Sequence, residues 1–248
     1  AAVLWGSIDN EAVVSNSYVT GSVTGEENVG GLAGWIGYSV VSNSYFAGVA
    51  TGATNVGGLV GYNEAGAIVS SYWDMDLSGL TEGVGAGVGG GTGLSTAQMM
   101  QEASFVGWDF DNVWYINEGV TRPLLRMGYS TFITKPYQLQ MMVQDLAADY
   151  TLGVDLDMAM ILDFLPVGDS SAPFTGTFDG LGHTIANLTI NRPEADYVGL
   201  FGCTDNAIIR NVSLIGCSVT GAENVGGLAG FAQNSTISNA SFSGSVTG

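Results

Sequence analysis

A short segment that recurs at a fixed interval constrains the fold of this chain more than any other feature. The sequence NVGGLAG at residues 28–34 returns 27 residues later as NVGGLVG at 55–61, and an identical copy of the first lies at 224–230. A second segment, VSNSY at 14–18, recurs with the same step at 41–45. A period of about 20 to 50 residues is typical of supersecondary units that stack into an array. The chain is therefore expected to be a repeat protein.

The residues within each repeat favour strands over helices. Val, Thr, Ser and Tyr suit a pleated, half-buried surface, and glycine interrupts them every few residues. The helical spacing of ankyrin-like or tetratricopeptide-like arrays does not fit. A coil of ~27 residues has room for about three short strands, and stacked coils pair equivalent strands in parallel. We therefore predict an all-β fold, a parallel β-solenoid (β-helix) of ~27-residue coils with short helical elements between two repeat arrays.

Stacking assigns roles to residues that recur in register. Tyr18, Tyr45 and Tyr72 follow the 27-residue step and are expected to form a ladder of equivalent side chains. Glycine is expected where the chain turns with positive φ or where two backbones approach closely.

The Gly-Leu-x-Gly copies carry a resemblance to a known family. With the flanking Ser-Asn-Ser-Tyr they resemble the GLUG motif, a repeat of large bacterial and archaeal surface proteins that include adhesins and the non-catalytic regions of some secreted peptidases. The resemblance covers residues 1–80 and 176–248, although the opening 2–6 departs from the pattern. It implies an extracellular or cell-surface location and a structural or adhesive role. The motif residues are Gly31, Leu32, Gly34, Gly58, Leu59, Gly61, Gly227, Leu228 and Gly230.

Four segments are predicted along the chain. Residues 1–80 and 176–248 are GLUG-type solenoid repeats, 81–128 hold a Gly-rich loop and an aromatic capping segment, and 129–175 form an opening segment with a helix and strands. In surface proteins that resemble this one, such a helix and strands open a solenoid. The chain thus runs in an unexpected order, with repeats and their end before a start and more repeats.

The two central segments contain the predicted helices. Ser95 is expected to cap a short helix, and Lys135–Val143 reads as a second helix with proline in its first turn. Between them lies a cluster of bulky apolar residues that is expected to cover the open end of the solenoid core. A carbohydrate-binding platform is the alternative for this cluster. Its residues are Phe105, Trp108, Phe110, Val113, Trp114 and Ile116.

The negative net charge disfavours two classes of partner. The net charge is −18, from 23 acidic and 5 basic residues, which would repel nucleic acid and anionic membranes. No apolar run reaches the ~20 residues of a membrane-spanning helix, so membrane insertion is not expected. The acidity is expected to keep a rather apolar chain soluble, with cation binding as the alternative. Glu26, Glu27, Asp74 and Asp76 are expected to be exposed turn residues.

Little in the sequence points to catalysis. His183 is the only histidine, and its place in a Gly-rich turn favours a structural role. No Gly-x-Ser-x-Gly elbow accompanies it, and the five basic residues leave little for the chemistry of polysaccharide-cleaving β-helices. We expect no enzyme and no organic cofactor.

The carboxylates of Asp155, Asp157 and Asp179 are the candidate ligands for Ca²⁺, which prefers hard oxygen donors. The alternation in Val154–Asp157 offers another explanation, the solvent face of a strand. Cys203 and Cys217 form either a disulfide, which would suit an oxidising exterior, or two buried free thiols. Candidate glycosylation sites are the sequons at Asn187, Asn211, Asn234 and Asn239.

The leading functional hypothesis is a non-catalytic extracellular module, structural or adhesive. The sequence SVTG at residues 245–248 matches 22–25, which run into another repeat, so one copy could continue into the next. We therefore expect the chain to be a building block that stacks in tandem or end to end in a surface filament or matrix. The expected partners are other copies of the chain, a host surface or a glycan. The alternative is a carbohydrate-binding or polysaccharide-acting β-helix protein. An ice-binding solenoid is disfavoured because no ranked Thr-x-Thr array is present.

Overall fold

A computed structural model of the chain describes residues 4–161 and 164–248. It divides into two compact units, Ala1–Met127 and Gly128–Gly248, beside the transition that the sequence predicts between residues 128 and 129. Of the opening segment that departs from the repeat, residues 2 and 3 lie outside the described residues.

The first unit is built from short strands and a single turn of α-helix. The helix is α1 (Met75–Ser78), and 3₁₀ turns occupy Gln98–Met100, Glu102–Ser104 and Arg126–Gly128. The strands are β1 (Trp5–Ile8), β2 (Val13–Ser15), β3 (Tyr18–Thr24), β4 (Glu27–Gly30), β5 (Ala33–Ile36), β6 (Val40–Ser42), β7 (Tyr45–Thr51), β8 (Thr54–Gly57), β9 (Val60–Asn63), β10 (Ala67–Val69), β11 (Tyr72–Asp74), β12 (Val84–Gly87), β13 (Thr92–Leu94), β14 (Trp114–Tyr115) and β15 (Leu124–Leu125).

Equivalent strands of successive coils stack into the sheets of this unit. The stacked sheets have the orders β1-β5-β9-β12, β2-β6-β10, β3-β7-β11-β13 and β4-β8, and every pairing in them is parallel. Strands β14 and β15 form a separate antiparallel pair. The predicted parallel β-solenoid is confirmed, and partners from β2 to β11 lie 27 residues apart. A coil such as 33–57 has four strands, one more than predicted. Strand β8 pairs with β4, and the side chain of Asn55 donates a hydrogen bond to its copy, Asn28, along this pair.

Alternation along β3, β7 and β11 gives this sheet two apolar faces. Phe46 and Trp73 point into the coil and join the inner core. The adjacent Tyr18, Tyr45 and Tyr72 lie on the outer face and pair in register from strand to strand. The rings of Tyr18 and Tyr45 stack with 5.2 Å between centroids. The predicted tyrosine ladder is therefore present, and it faces away from the inner core.

The aromatic segment packs against that outer face. Phe105 and Trp114 are buried and form a second core with Tyr45 and Tyr72, separate from the inner one. The Tyr45 hydroxyl donates a hydrogen bond to the carbonyl of Pro123 at 2.8 Å, which fixes the end of the segment on the sheet. The sequence prediction placed this cluster over the open end of the solenoid. The structure places it on the flank, because the tyrosine ladder makes the flank apolar.

The Gly-rich stretch 83–93 is not the loop that the sequence predicts. It contributes β12 and most of β13, which extend two sheets by a shortened coil. Gly83 and Gly93 both lie against the indole of Trp73, where a Cβ would come within 3 Å of the ring. Glycine therefore lets the strands close around a large buried side chain. Ser95 was predicted to cap a short helix. Its hydroxyl accepts a hydrogen bond from the Gln98 amide at 3.2 Å, but the segment that follows is a 3₁₀ turn whose N-cap is Ala97.

The second unit opens with the predicted helix and continues into longer strands. Helix α2 (Pro136–Gln140) has proline at its start and continues as a 3₁₀ turn over Met141–Gln144. The strands are β16 (Phe132–Ile133), β17 (Tyr150–Leu152), β18 (Leu156–Asp157), β19 (Thr177–Asp179), β20 (Thr184–Ala186), β21 (Thr189–Asn191), β22 (Phe201–Asp205), β23 (Ile208–Thr220), β24 (Ala229–Gln233) and β25 (Thr236–Thr247).

Strand β23 organises the stack in the second unit. Its three successive parts pair in parallel with β19, β20 and β21 on one side, and β25 runs along its other side. Strand β22 pairs with β24 in the same way. One core runs through the unit, from Leu139 and Met142 on the helical segment to Phe178, Leu214 and Val219 in the coils.

Candidate interaction surfaces and the motif residues

The first glycine of each Gly-Leu-x-Gly copy faces an aromatic ring of the core. A Cβ at this position would lie less than 3 Å from ring carbons, closer than Cβ atoms are found in real structures. The leucine that follows is fully buried in the first two copies. The ring pairs are Gly31 with Phe46, Gly58 with Trp73, and Gly227 with Phe242.

The second glycine of the motif lies against a neighbouring backbone. A Cβ on Gly61 would meet the main chain of Asn28 and Val29, and one on Gly230 would meet that of Tyr197. The described motif glycines do not take positive φ. Of the two roles predicted for glycine, the close approach of backbones applies here.

Asparagines supply the left-handed conformation at the coil corners. Asn28 and Asn55 have φ of 52°, Asn224 has φ of 54°, and the amide of Asn55 donates a hydrogen bond to Oδ1 of Asn28 at 2.7 Å. Asparagine tolerates this region better than most residues. The looser copy has Tyr197 at the same place with φ of 59°, which is an outlier for a bulky side chain.

Asp155 and Asp157 hold neighbouring turns by hydrogen bonds. Oδ1 of Asp155 accepts one from the Thr184 amide at 2.8 Å and lies 3.2 Å from Nδ1 of His183. These two contacts lower the pKa of Asp155. Oδ1 of Asp157 accepts a hydrogen bond from the Asn187 side chain at 2.9 Å, and its pKa is also lowered. The structural role predicted for His183 agrees with this position on a coil turn.

Asp179 is buried and has a different set of partners. Its carboxylate accepts hydrogen bonds from Nε of Arg210 at 2.8 Å, from the Asn211 side chain at 2.9 Å and from the Leu181 amide at 2.9 Å. Within residues 4–161 and 164–248, no group of three or more His, Cys, Asp or Glu side chains could hold a metal ion. The three predicted carboxylates accept hydrogen bonds from different protein donors, and a Ca²⁺ site built from them stays a prediction.

The two cysteines are free thiols, which contradicts the disulfide alternative and agrees with the other one. Cys203 lies on β22 and Cys217 on β23, in separate sheets. Burial raises the pKa of both thiols, and nearby Asp169 adds to the effect at Cys203. Both side chains are therefore packing groups in the neutral form.

All four predicted glycosylation sites are corner asparagines with positive φ. In each, the side-chain nitrogen that a glycan would occupy donates a hydrogen bond to a neighbouring coil or corner. The acceptors are Asp157 for Asn187, Asp179 for Asn211, Asp205 for Asn234 and Asn211 for Asn239. These bonds show a structural use of the sequons, and glycosylation stays a prediction.

An ion pair that the sequence did not reveal ties the aromatic segment to the solenoid. Asp74 is completely buried, although the sequence suggested an exposed turn. Its carboxylate lies 2.6 Å from Nη2 of Arg122 and accepts hydrogen bonds from the Thr96 hydroxyl at 2.9 Å and from the Leu77 amide at 3.1 Å. Asp74 follows the inward-facing Trp73 in a strand, so its side chain lies on the outer face of the sheet. Its burial could be predicted only by recognising that this outer face is itself buried.

The coil 222–248 presents apolar side chains to solvent. Among the described residues, β25 pairs with β23 alone, so its other edge is open. Ile237 and Val246 are 43% and 44% exposed, whereas their register partners Ile209 and Val219 are 0% and 1% exposed. Registered parallel partners point the same way, so Ile237 and Val246 are inward-facing residues of this coil, exposed along the unpaired side of β25.

Comparison with known protein families identifies one motif in the chain. The GLUG motif matches residues 221–247, so the chain carries the repeat that its sequence resembles. The chain is thus a parallel β-solenoid that carries a GLUG motif in its second unit. No solved structure matches the chain.

Two relatives match part of the chain. Halomucin of Haloquadratum walsbyi is 42% identical over 111 residues, which is 40% of this chain and 1% of halomucin. A protein of Evansella cellulosilytica named as a Gly-rich membrane protein is 40% identical over 77 residues, which is 29% of this chain and 9% of that protein. The chain therefore spans a small fraction of either relative. None of the described helices is long and apolar enough to cross a membrane.

Proposed function

We propose that the chain is a non-catalytic structural module of an extracellular surface layer, which stacks GLUG coils in tandem or end to end into a filament or matrix. The observation that carries the proposal is the open coil 222–248, whose edge strand and inward-facing Ile237 and Val246 are exposed. An edge of this kind is a template for another strand. The names of the two relatives, a halomucin and a membrane protein, support a surface location.

The occupant that fits this edge is another GLUG coil. The sequence of residues 224–230 is identical to that of 28–34, and 245–248 is identical to 22–25, so the first coils of a second copy offer the strand pattern that β25 would meet. A head-to-tail contact between copies does not close on itself and generates a filament. The second copy is therefore the partner that we propose for the isolated chain.

Uncharged side-chain pairs between successive coils support the proposal that an acidic chain can stack. Neutral polar pairs recur at equivalent places, with Ser213 bonded to Ser241 at 2.9 Å and Thr24 to Thr51 at 3.1 Å. In the registered strand pairs of the described residues, no carboxylate lies opposite another carboxylate. Like charges in register would be destabilising, so the pattern keeps the net charge of −18 away from the stacking contacts.

Light scattering after size exclusion and electron microscopy test end-to-end assembly. The unmodified chain is expected to form rods whose mass rises with protein concentration and with salt, which screens repulsion between copies. Ile237→Lys puts a charge on the edge and is expected to leave monomers. Met160→Lys is the matched control, because Met160 is 82% exposed in the same unit and follows β18, which pairs with β20 and not with β25. A monodisperse monomer at every concentration, or Ile237→Lys rods like those of the unmodified chain, would contradict self-stacking.

Tandem stacking is tested in a single chain. A second copy of residues 222–248 placed after Gly248 is expected to raise the thermal midpoint and to reduce binding of a hydrophobic dye, because Ile237 and Val246 become buried. An unchanged midpoint and unchanged dye binding would contradict the idea that this face accepts a coil.

A further inference from the structure

A small groove lies on the flank of the second unit, beside the sheet of β22 and β24. Its volume is about 140 Å³. The rings of Tyr197 and Phe231 form one corner of it, with centroids 5.9 Å apart and planes inclined by 64°. Phe231 is 44% exposed, so an apolar ring face is available to a ligand. The residues that line the groove are Ser170, Pro173, Tyr197, Cys203, Thr204, Asp205, Phe231 and Gln233.

Tyr197 occupies this corner in an unfavourable backbone conformation. The equivalent residue is asparagine in the motif copies at Asn28, Asn55 and Asn224, and all three take the left-handed conformation that asparagine accepts. Tyr197 adopts it with φ of 59°. Such outliers cluster at functional sites, where the surrounding structure enforces them. The substitution of asparagine by tyrosine therefore places an aromatic ring in the groove at a conformational cost.

The polar side of the groove is held in place before any ligand arrives. Oδ1 of Asp205 accepts hydrogen bonds from the side chains of Asn206 at 3.0 Å and Asn234 at 3.3 Å. The Thr204 hydroxyl donates to the Ser235 hydroxyl at 3.0 Å. Gln233 ends β24 beside them and adds an amide with both donors and an acceptor. The groove thus joins an aromatic corner to fixed hydrogen-bonding groups.

We propose that this groove binds one ring of a neutral sugar. Aromatic faces with a few placed polar groups are the usual composition of a small-ligand site, and a hexose offers apolar C–H faces to the rings and hydroxyls to Asp205 and Gln233. None of the described lining residues is basic, and the carboxylate of Asp205 adds to a net charge of −18, so an anionic ligand is disfavoured. The site goes beyond the proposed stacking function, because it uses the flank of the coils.

Binding is tested by titrating the full chain with methyl glycosides of glucose, galactose and mannose, and with glucuronate, while aromatic proton shifts are followed by NMR. At least one neutral glycoside is expected to shift the resonances of Tyr197 and Phe231. Glucuronate is expected to bind more weakly than the glucoside because its charge faces Asp205. The decisive variant is Tyr197→Asn, which restores the residue of the other repeats. It is expected to keep or raise the thermal midpoint while weakening the affinity about tenfold or more.

Controls separate binding from folding and from the stacking proposal. Tyr38→Asn removes an exposed tyrosine of the first unit and is expected to leave the affinity unchanged. If Tyr197→Asn lowers the midpoint, Phe231→Ser provides a second test, with the same loss of affinity expected. No response to any neutral glycoside, or equal affinity in the unmodified chain and in these groove variants, overturns the proposal. Rod formation is measured separately, so either proposal can fail without the other.

Discussion

Replacing Gly31 by alanine puts a methyl group against the ring of Phe46. The new Cβ would lie less than 3 Å from the ring carbon Cγ, whereas carbon atoms in contact stay about 3.5–4.0 Å apart. The ring must therefore move by at least about 0.5 Å, and Phe46 is completely buried in the inner core. Overpacking of a tight core costs about 1–3 kcal/mol, and we expect a value near 3 kcal/mol here because both the ring and the adjacent backbone of Gly58 resist movement.

The loss is measurable as a shift of the unfolding transition followed by circular dichroism. For a unit of this size, ~3 kcal/mol corresponds to a decrease of about 10 °C in the midpoint. Gly6→Ala is the matched control, because Gly6 also lies in a strand but has no atom within 4 Å of a built Cβ. That variant is expected to change stability by less than about 0.5 kcal/mol.

A second substitution tests the cause. Phe46→Val removes the ring, so it is expected to cost stability alone but to relieve the clash in the Gly31→Ala background, with a coupling of about 0.5–3 kcal/mol. Two results would refute the reasoning: Gly31→Ala as stable as Gly6→Ala, or strictly additive costs in the double variant. Either would mean that the glycine of the motif is not required by the ring beside it.

Two further predictions concern buried carboxylates. Asp74→Asn is expected to lower the free energy of unfolding by about 3 kcal/mol, because it leaves the Arg122 charge without its buried partner. Denaturant unfolding measures this loss. The exposed Asp111→Asn is the control and should change stability little; a comparable loss there would contradict the explanation. Burial acts to raise the pKa of Asp179, but hydrogen bonds from Asn211 and the Leu181 amide and the nearby Arg210 outweigh it, so the pKa is lowered. The ionised carboxylate of Asp179 therefore contributes its full stabilisation at a pH above the unfolded-state pKa of about 3.9. This stabilisation is lost as the pH falls through the lower pKa of the folded state. Thermal midpoints measured from neutral to acidic pH should fall in that window and fall less in Asp179→Asn; parallel curves would contradict the assignment.

The stacking of strands could be predicted from the sequence because a parallel solenoid makes its period visible. Residues one coil apart occupy equivalent positions, so the 27-residue step between Tyr18 and Tyr45 is also their strand register. The helix that begins at Pro136 was equally readable, since proline at the first turn and the apolar spacing agree. These features depend on local pattern or on exact repetition.

The contacts of the aromatic segment could not be predicted in the same way. The bulky residues Trp108 and Trp114 had to be buried, but composition does not say on which surface, and the hydrogen bond from Tyr45 to Pro123 joins residues 78 apart. The alternation of Tyr45 and Phe46 was the available signal, because two adjacent apolar residues in a strand indicate two buried faces. That signal predicts a second core.

The groove residues show a second limit on what can be predicted from sequence. Alignment of the looser copy with the motif reveals tyrosine at an asparagine position, so Tyr197 could have been singled out from sequence. Its left-handed conformation and its contact with Phe231 depend on the corner geometry of two coils, which the sequence does not contain. The partners of the three candidate calcium ligands were hidden in the same way, since residue type alone does not show that Asp155 lies beside His183 and Asp179 beside Arg210.

The constant register from β2 to β11 restricts how such an array can change in length. A shift of one residue would turn the side chains of a strand inside out, so single insertions must be absorbed at corners. A duplication of 27 residues, in contrast, adds a coil whose upper and lower surfaces already match their neighbours. Each duplication would lengthen the stack by the strand spacing of about 4.8 Å. Gene duplication can therefore set the reach of a surface protein in small, uniform increments without requiring any new interface.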